Sequence, residues 1–600
     1  MAMNRQTVLN KPKDSKKTFK RLIAYIAGST PLIVFLLIMC FAANVLGLLG
    51  PWLAGKAINV AEAGAGNVDM SRILYYAALM LVCYLVSSVL GIVINMIMTH
   101  LSKRVAKKMR QDAFEKLQRL PVSYFDKNKT GDIISRVFYD VDVISTCIAS
   151  DLTNMLTNVV TVAGSFVMML VICPPLVIIE VAAIPVSIAF TAHMRKKTQP
   201  RYRERSKKYG ALNSYVEEIL TGHKTVQAYA YEKKAEERFS KLNTEAAEGY
   251  YDAEYYGFAI SPTINFISYC SLALIAMFGA VLYMYGWTTL GQISSFILYS
   301  RKFSGPIDEI SSIINELFSM LAAAERVFEV LDEEEETEKD TGTLELTNIK
   351  GNVELRSVSF GYEKDKEILH DLNFTAESGS MTAIVGPTGA GKTTIINLLM
   401  RFYDADAGSI LVDGKDVRDY ERKSLRSAYA MVLQDTWVFE GTIFDNIAYG
   451  KEDATTQEVT AAAKAARIHS FIMQLPEGYN TIISENGGNI SKGQKQLLTI
   501  ARAMLYDVKM LILDEATSNV DTGTERYVQE AMRELMKGKT CFVIAHRIST
   551  IKNADQIIVL KDGAIAEAGT HAELMRRGGV YSDLYLSQFQ LGVDHECAMG

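Results

Sequence analysis

Residues 30–53 run TPLIVFLLIMCFAANVLGLLGPWL without one charged side chain. About 20 such residues cross the hydrocarbon core of a bilayer. A second run occupies 75–98, two more lie at 154–173 and 176–192 around the break Cys173-Pro174-Pro175, and a fifth covers 258–286. A sixth, more polar, starts near Ile293 and continues through Phe318. In lipid, backbone polar groups must be bonded within their own segment, so runs of this length are helices. The expectation is a six-helix all-α membrane domain, with the sixth helix least marked by hydropathy. Composition agrees: 49% of the 600 residues are apolar and 22% charged. Disordered, collagen-like and disulfide-knot classes are excluded on that balance. A net charge of -5 gives no nucleic-acid signature, so no nucleic-acid partner is expected.

The seven cysteines (Cys40, Cys83, Cys147, Cys173, Cys270, Cys541 and Cys597) form no CxxC pair and lie mostly in apolar runs. They read as small buried hydrophobes rather than a disulfide framework or zinc site. The first 21 residues are basic and lead into a run too long for a signal-peptide core.

Lysine and arginine bias sets the topology. The segment LSKRVAKKMR at 101–110 and the cluster Arg195, Lys196, Lys197, Arg201, Arg203, Arg205, Lys207 and Lys208 mark two cytoplasmic connections. The opposite connections, about 54–74, 173–175 and 287–292, are short and poor in basic residues. Both termini, and the second half of the chain, are then cytoplasmic. The two cytoplasmic connections are too long for bare loops. Their periodicity predicts helical hairpins extending from the membrane helices, with tips near Tyr124–Thr130 and Gly222–Thr225. Asn44, Asn95, Glu180, Asn265, Arg301 and Lys302 fall within or near the apolar runs. Each is costly against lipid and belongs at a helix interface or a cavity wall.

The acidic stretch Asp332–Asp340, DEEEETEKD, reads as a solvated linker. Beyond it the pattern changes. Alternating or continuous apolar runs at 353–360, 381–386, 510–515, 541–546 and 556–560 read as strands with helices between them. This is a P-loop α/β domain with some antiparallel strands. The boundaries expected are 1–20 for a basic segment, 21–330 for the membrane domain, 331–345 for the linker, 346–590 for the nucleotide-binding domain and 591–600 for a tail.

Gly386–Thr393 reads GPTGAGKT, a complete phosphate-binding loop between strand and helix. Gly386, Gly389 and Gly391, with Pro387, Thr388 and Ala390 between them, let the backbone wrap phosphate with its N–H groups. Lys392 reaches the terminal phosphates, Thr393 offers a hydroxyl to Mg²⁺, and Thr394 contacts phosphate nearby. ATP and Mg²⁺ are the expected cofactors. Asp514 and Glu515 end the apolar strand MLILD, at the carboxyl edge where α/β ligand sites form. Asp514 would orient magnesium, Glu515 would position or deprotonate the attacking water, and His546, after another apolar strand, would hold that water at the γ-phosphate. The reaction is phosphoryl transfer to water, driven by positioning and electrostatics.

These motifs, in this order, resemble an ATP-binding cassette (ABC) exporter, a half-transporter with six membrane helices before one nucleotide-binding domain. Asn489–Gln494, NISKGQ, is similar to the family's signature loop, with Ser491, Gly493 and Gln494 kept and Lys492 in place of the first glycine. By itself the loop also fits a simple turn in which Ser491 caps the next helix. The resemblance implies further roles. Tyr362 stacks on adenine, and Gln434 senses magnesium and couples to the membrane part. Glu485-Asn486-Gly487 is a cross-domain coupling loop, and Ser518–Asp521, SNVD, is the loop after the catalytic strand. It also implies a dimer, since the signature loop of one subunit completes the nucleotide site of the other. Homodimer and heterodimer both fit. The implied function is ATP-driven export of hydrophobic or amphipathic compounds, drug-like or lipid-like, from a bacterial plasma membrane. The alternatives are a nucleotide-gated channel or transport regulator on the same scaffold, or a short-peptide exporter.

Overall fold

A computed structural model describes residues 14–27, 30–62, 68–340, 342–363, 366–433, 436–484, 487–515, 522–545 and 551–587. The chain divides into two units, Met1–Gln118 with Thr130–Glu333, and Arg119–Lys129 with Glu334–Gly600.

The first unit is helical. Among the described residues, five helices are long and apolar enough to cross a membrane: Pro31–Ala61, Met70–Leu117, Thr130–Ile172, Pro174–Thr221 and Glu232–Met284. The 48-residue helices Met70–Leu117 and Pro174–Thr221 each rise about 70 Å, more than twice a hydrocarbon core. Their basic halves therefore project beyond the bilayer, as the charge bias predicts. The break at Cys173 is real. Its backbone leaves the helical region (φ -156, ψ 85) and Pro174 opens the next helix, where a missing N–H costs nothing. The run at 293–318 lies within one helix, Leu290–Asp332. That helix carries Arg301, Lys302, Asp308 and Glu309 and is not among the five apolar ones. It starts with a capping box, in which the Thr289 hydroxyl accepts from Gln292 N at 3.2 Å.

The polar residues of the apolar runs divide. Glu180, 2% exposed, accepts hydrogen bonds from Ser271 (3.1 Å), Ser300 (2.8 Å) and Ser304 (2.7 Å), three hydroxyls from two other helices. Asn44 donates to Cys40 O at 2.8 Å and accepts from Thr161, and Lys302 donates to Gly47 O at 2.9 Å. These three are helix contacts. Asn95, Asn265 and Arg301 face outward on the single chain. Nearer the soluble ends, Arg326 makes a bidentate pair with buried Asp140 (2.8 and 2.5 Å), beside a core of Met109, Val141, Ile148 and Val327. The described cysteines are free thiols, all buried except Cys270, and Cys597 lies outside the described residues.

The second unit holds two main sheets. One is antiparallel, in order β2-β1-β4-β5: Leu369–Ala376, Val353–Phe360, Ala407–Val412 and Lys415–Asp416. The other has order β12-β11-β3-β10-β9-β6: Ala564–Gly569, Gln556–Lys561, Met381–Val385, Thr540–Ala545, Met510–Glu515 and Tyr429–Val432. All of its pairs are parallel except β11 with β12. Period-2 alternation sends Ala383, Leu511, Leu513, Val543 and Val559 to one core and Ile384, Ile512, Phe542, Ile544 and Ile558 to the other. A sheet covered on both faces needs continuous apolar strands, which is how they read in sequence.

The acidic stretch is solvated only in part: Asp332, Glu333 and Glu334 are exposed, but Glu336 and Asp340 are paired. Glu336 accepts from Arg426 Nη1 and Nη2, both at 2.7 Å, and from Arg422 Nη1 at 3.1 Å. Asp340 accepts from Arg401 Nη1 at 3.0 Å and from the Arg422 backbone N at 3.0 Å. The Arg401 side chain is only 2% exposed. Its charge requires acid partners, and these come from the stretch that composition assigned to solvent.

Candidate nucleotide site

Parallel strands β3, β10, β9 and β6 end at the same edge of the sheet. Register aligns Ile384 with Ile544, Ile544 with Asp514, and Val432 with Leu513. The loop after β3 therefore opens at the same edge as the carboxylate end of β9, with β10 between them. Gly386–Gly391 fills the turn, and the helix Lys392–Leu399 follows. Two glycines are dictated by space. A Cβ on Gly386 would stand 2.3 Å from Leu560 O, and one on Gly391 (φ +97) would stand 2.4 Å from Leu369 Cδ2. Pro387, Thr388 and Gly389 are exposed on the loop's outer side, while Ala390 is buried beneath it.

Lys392 folds back over this loop, its Nζ donating to Gly386 O and Pro387 O at 2.9 Å each. Burial lowers its pKa from the usual lysine value, against the opposing pull of Asp514. The ammonium is thus held by carbonyls that an anion in the loop can replace. Thr393 is exposed at the first turn of the helix, and Thr394 is buried at 6%. Thr393 and Asp514 bring hydroxyl and carboxylate oxygen to one edge, the donor chemistry that Mg²⁺ takes.

Tyr362 follows β1. Its hydroxyl accepts from Asn397 Nδ2 at 2.9 Å and lies 3.4 Å from Thr394 Oγ1, tying the ring to the helix that opens the phosphate loop. Its ring packs edge-on against Phe360 and Tyr403, with centroids 5.0 and 4.9 Å away.

The loop at Ser491 makes a full capping box for the helix Lys492–Tyr506. The Ser491 hydroxyl accepts from Gln494 N at 3.3 Å, and Gln494 Oε1 accepts from Ser491 N at 2.8 Å. Gly493 is buried and Lys492 exposed. The capped-turn reading of this loop therefore holds in the single chain, and it coexists with a helix N-terminus open to an anion.

The backbone of Glu515 ends β9. Its side chain, Gln434, His546, Glu485-Asn486 and Ser518–Asp521 lie outside the described residues. Sequence reasoning missed Asn397, Tyr403 and the Arg401–Arg422–Arg426 cluster. For the cluster a signal existed: four arginines within positions 401–426, three of them in this cluster, in a chain with a run of acids at 332–340.

Residues 33–307 match the family model of the ABC transporter transmembrane region, and residues 369–518 match that of the ABC transporter. The ABC transporter ATP-binding protein YfiC of Bacillus subtilis is 42% identical over 581 residues, 97% of this chain and 96% of that protein. A fatty acid ABC transporter ATP-binding/permease protein of Mycobacterium bovis is 40% identical, over 93% of this chain and 91% of its own length. Among solved structures, a bacterial Atm1-family ABC exporter with ATP bound superposes with a TM-score of 0.74 at 28% identity, covering 94% of this chain and 99% of that one.

Proposed function

The chain belongs to the ABC transporter family, and on that footing we propose that it is a half-transporter exporting hydrophobic or amphipathic, drug-like or lipid-like compounds across the plasma membrane. The likeness to a fatty acid transporter favours the lipid-like end of that range. In this reading 21–330 is a six-helix membrane domain with Leu290–Asp332 as its sixth helix. Residues 331–345 connect it to the nucleotide-binding domain, 346–590. A second copy, or a related half-transporter, completes the pump.

One observation carries the reading. The cradle Gly386–Gly391, with Lys392 turned across it and Asp514 at the same sheet edge, sits on a chain whose described residues include five membrane-length apolar helices. ATP phosphates take the loop N–H groups and the Lys392 ammonium, which exchanges its carbonyl partners for them. Tyr362 stacks on the base. Thr393, Asp514 and Gln434 would hold Mg²⁺, which neutralises phosphate charge when bound. Glu515 positions or deprotonates the water and His546 holds it. Ser491, Lys492, Gly493 and Gln494 face the nucleotide of the other subunit, where the helix N-terminus favours the terminal phosphate. Closure of the nucleotide domains, present only with ATP bound, supplies the differential affinity that a population shift requires.

The test is the magnesium-dependent ATPase rate of the full chain in lipid, beside Glu515→Gln, with transport of a fluorescent fatty acid against its gradient. We expect a loss of at least about 100-fold in the variant, the scale of removing a general base. Equal rates would sink the role of Glu515. ATP hydrolysis with cargo movement only down its gradient would favour a gated channel. A folded, ATP-binding preparation that hydrolyses nothing would call for a partner chain.

A further inference from the structure

We propose that Tyr403 is a positioning residue coupling occupancy of the Tyr362 base site to the hairpin-tip segment Arg119–Lys129. The inference rests on the reading of Tyr362 as the base-stacking residue.

The segment Arg119–Lys129 belongs to the same compact unit as Tyr362 and Tyr403. It contains a short helix, Val122–Lys127, with Tyr124 buried at 6%. The Tyr403 hydroxyl donates to Asp126 Oδ2 at 2.5 Å. Burial first, and then Asp126, raise the tyrosine's pKa, so the group stays a donor at any physiological pH. At its other end the segment is held by Glu336 N, which donates to Arg119 O at 3.0 Å. Glu336 is itself fixed by Arg422 and Arg426. The tip thus has one anchor on the arginine cluster and one on Tyr403.

Tyr403 also faces the base site. Its ring meets Tyr362 at 4.9 Å and 85°, and both rings rest on Phe360, at 5.5 and 5.0 Å. Three edge-to-face rings this close leave little room for independent tilt, because such contacts weaken steeply with displacement. A base stacked on Tyr362 fixes the first ring and narrows the positions open to the second. The hydroxyl of that second ring then stays in line with Asp126, an alignment on which hydrogen-bond strength depends.

Linkage makes the idea quantitative. If nucleotide stabilises the tip by some factor, breaking the tip contact must weaken nucleotide binding by the same factor. The experiment uses the full chain in lipid nanodiscs with magnesium and a non-hydrolysable ATP analogue. Trypsin cleavage after Lys127 and Lys129, both exposed, reads the tip. Nucleotide should slow that cleavage about fivefold in the unmodified chain. Tyr403→Phe keeps the ring and removes the hydroxyl, and Asp126→Ala removes the acceptor at an exposed position, so neither threatens folding. Each should abolish the protection and weaken analogue binding by the same factor. The double variant should be no worse than either alone. Full protection in Tyr403→Phe, unchanged affinity in Asp126→Ala, or additive effects would overturn the proposal. A chain that binds no nucleotide at all overturns the base-site reading and the proposal with it. Normal binding with an unresponsive tip overturns the proposal alone.

Discussion

Replacing Glu336 by alanine removes the central acid of the arginine cluster. Its two oxygens receive three guanidinium hydrogen bonds of 2.7, 2.7 and 3.1 Å, and its side chain is 16% exposed. The arginines left behind are 10% and 25% exposed, so water replaces the carboxylate only in part. Breaking a largely buried pair from one side costs about 2–3 kcal/mol. In a unit of this size that corresponds to a fall of roughly 5–10 °C in its unfolding temperature. The assay is calorimetry of the full chain in lipid, following the transition that ATP shifts upward. pH supplies a control. Burial alone would raise the Glu336 pKa, but Arg426 and Arg422 prevail and the net direction is down. A carboxylate depressed in the folded state contributes fully above its unfolded pKa, about 4.3, and loses that contribution as pH falls through the folded value. The gap between wild type and Glu336→Gln should therefore be constant near neutrality and close below about pH 4. A shift under about 1 °C for Glu336→Ala, or a gap to Glu336→Gln unchanged by acid, would refute the reasoning.

Three other outcomes are expected. Gly386→Ala places a methyl 2.3 Å from Leu560 O and should weaken ATP binding about tenfold or more, read by equilibrium titration; unchanged affinity would mean the loop relaxes freely. Glu180→Ala strands three serine hydroxyls inside the helical unit and should cost roughly 2–4 kcal/mol, with Glu180→Gln milder; thermal unfolding in lipid checks the order. Ser491→Ala removes a capping side chain worth about 1 kcal/mol and should lower the unfolding temperature even without nucleotide, which a purely ligand-binding role for Ser491 would not do.

What sequence could show was local. GPTGAGKT is one contiguous loop whose glycine spacing carries its own geometry, and the apolar positions of VELRSVSF name its buried residues, although the alternation shifts frame at an irregularity between Leu355 and Val358. The long apolar runs announced their own helices, and the basic clusters announced the ends that leave the lipid. Pairings across the chain were not legible. Glu336 meets Arg422 and Arg426 at separations of 86 and 90 residues, and Asp340 meets Arg401 at 61. A run of acids has the composition of a solvated tether until its partners are known. Glu180 posed the same problem, because its hydroxyl donors stand 91, 120 and 124 residues away. Its cost in lipid was evident, but which neighbours met that cost was not. The helix Leu290–Asp332 escaped a clean reading for a different reason: Arg301, Lys302, Asp308 and Glu309 dilute its apolar run.

The arginine cluster also shows why an acidic stretch has to be here. The helix that opens at Lys392 closes at Met400, and Arg401 follows with φ +50, a left-handed backbone that costs a non-glycine residue about 1 kcal/mol. That turn leaves the Arg401 guanidinium almost wholly buried, donating to Asp404, Tyr420 O and Asp340. A buried guanidinium without acids would be far more costly than the turn. Asp404 alone is adjacent in sequence; the rest must come from elsewhere, and Asp340 supplies it. Four residues before Asp340, Glu336 binds Arg422 and Arg426 with its side chain and Arg119 O with its backbone N–H. The end of the phosphate-loop helix, the entry strand of chain and the segment Arg119–Lys129 are therefore fixed by one set of charges. A substitution at any of Arg401, Asp340 or Glu336 should consequently disturb all three together, whereas a solvated tether would have isolated them.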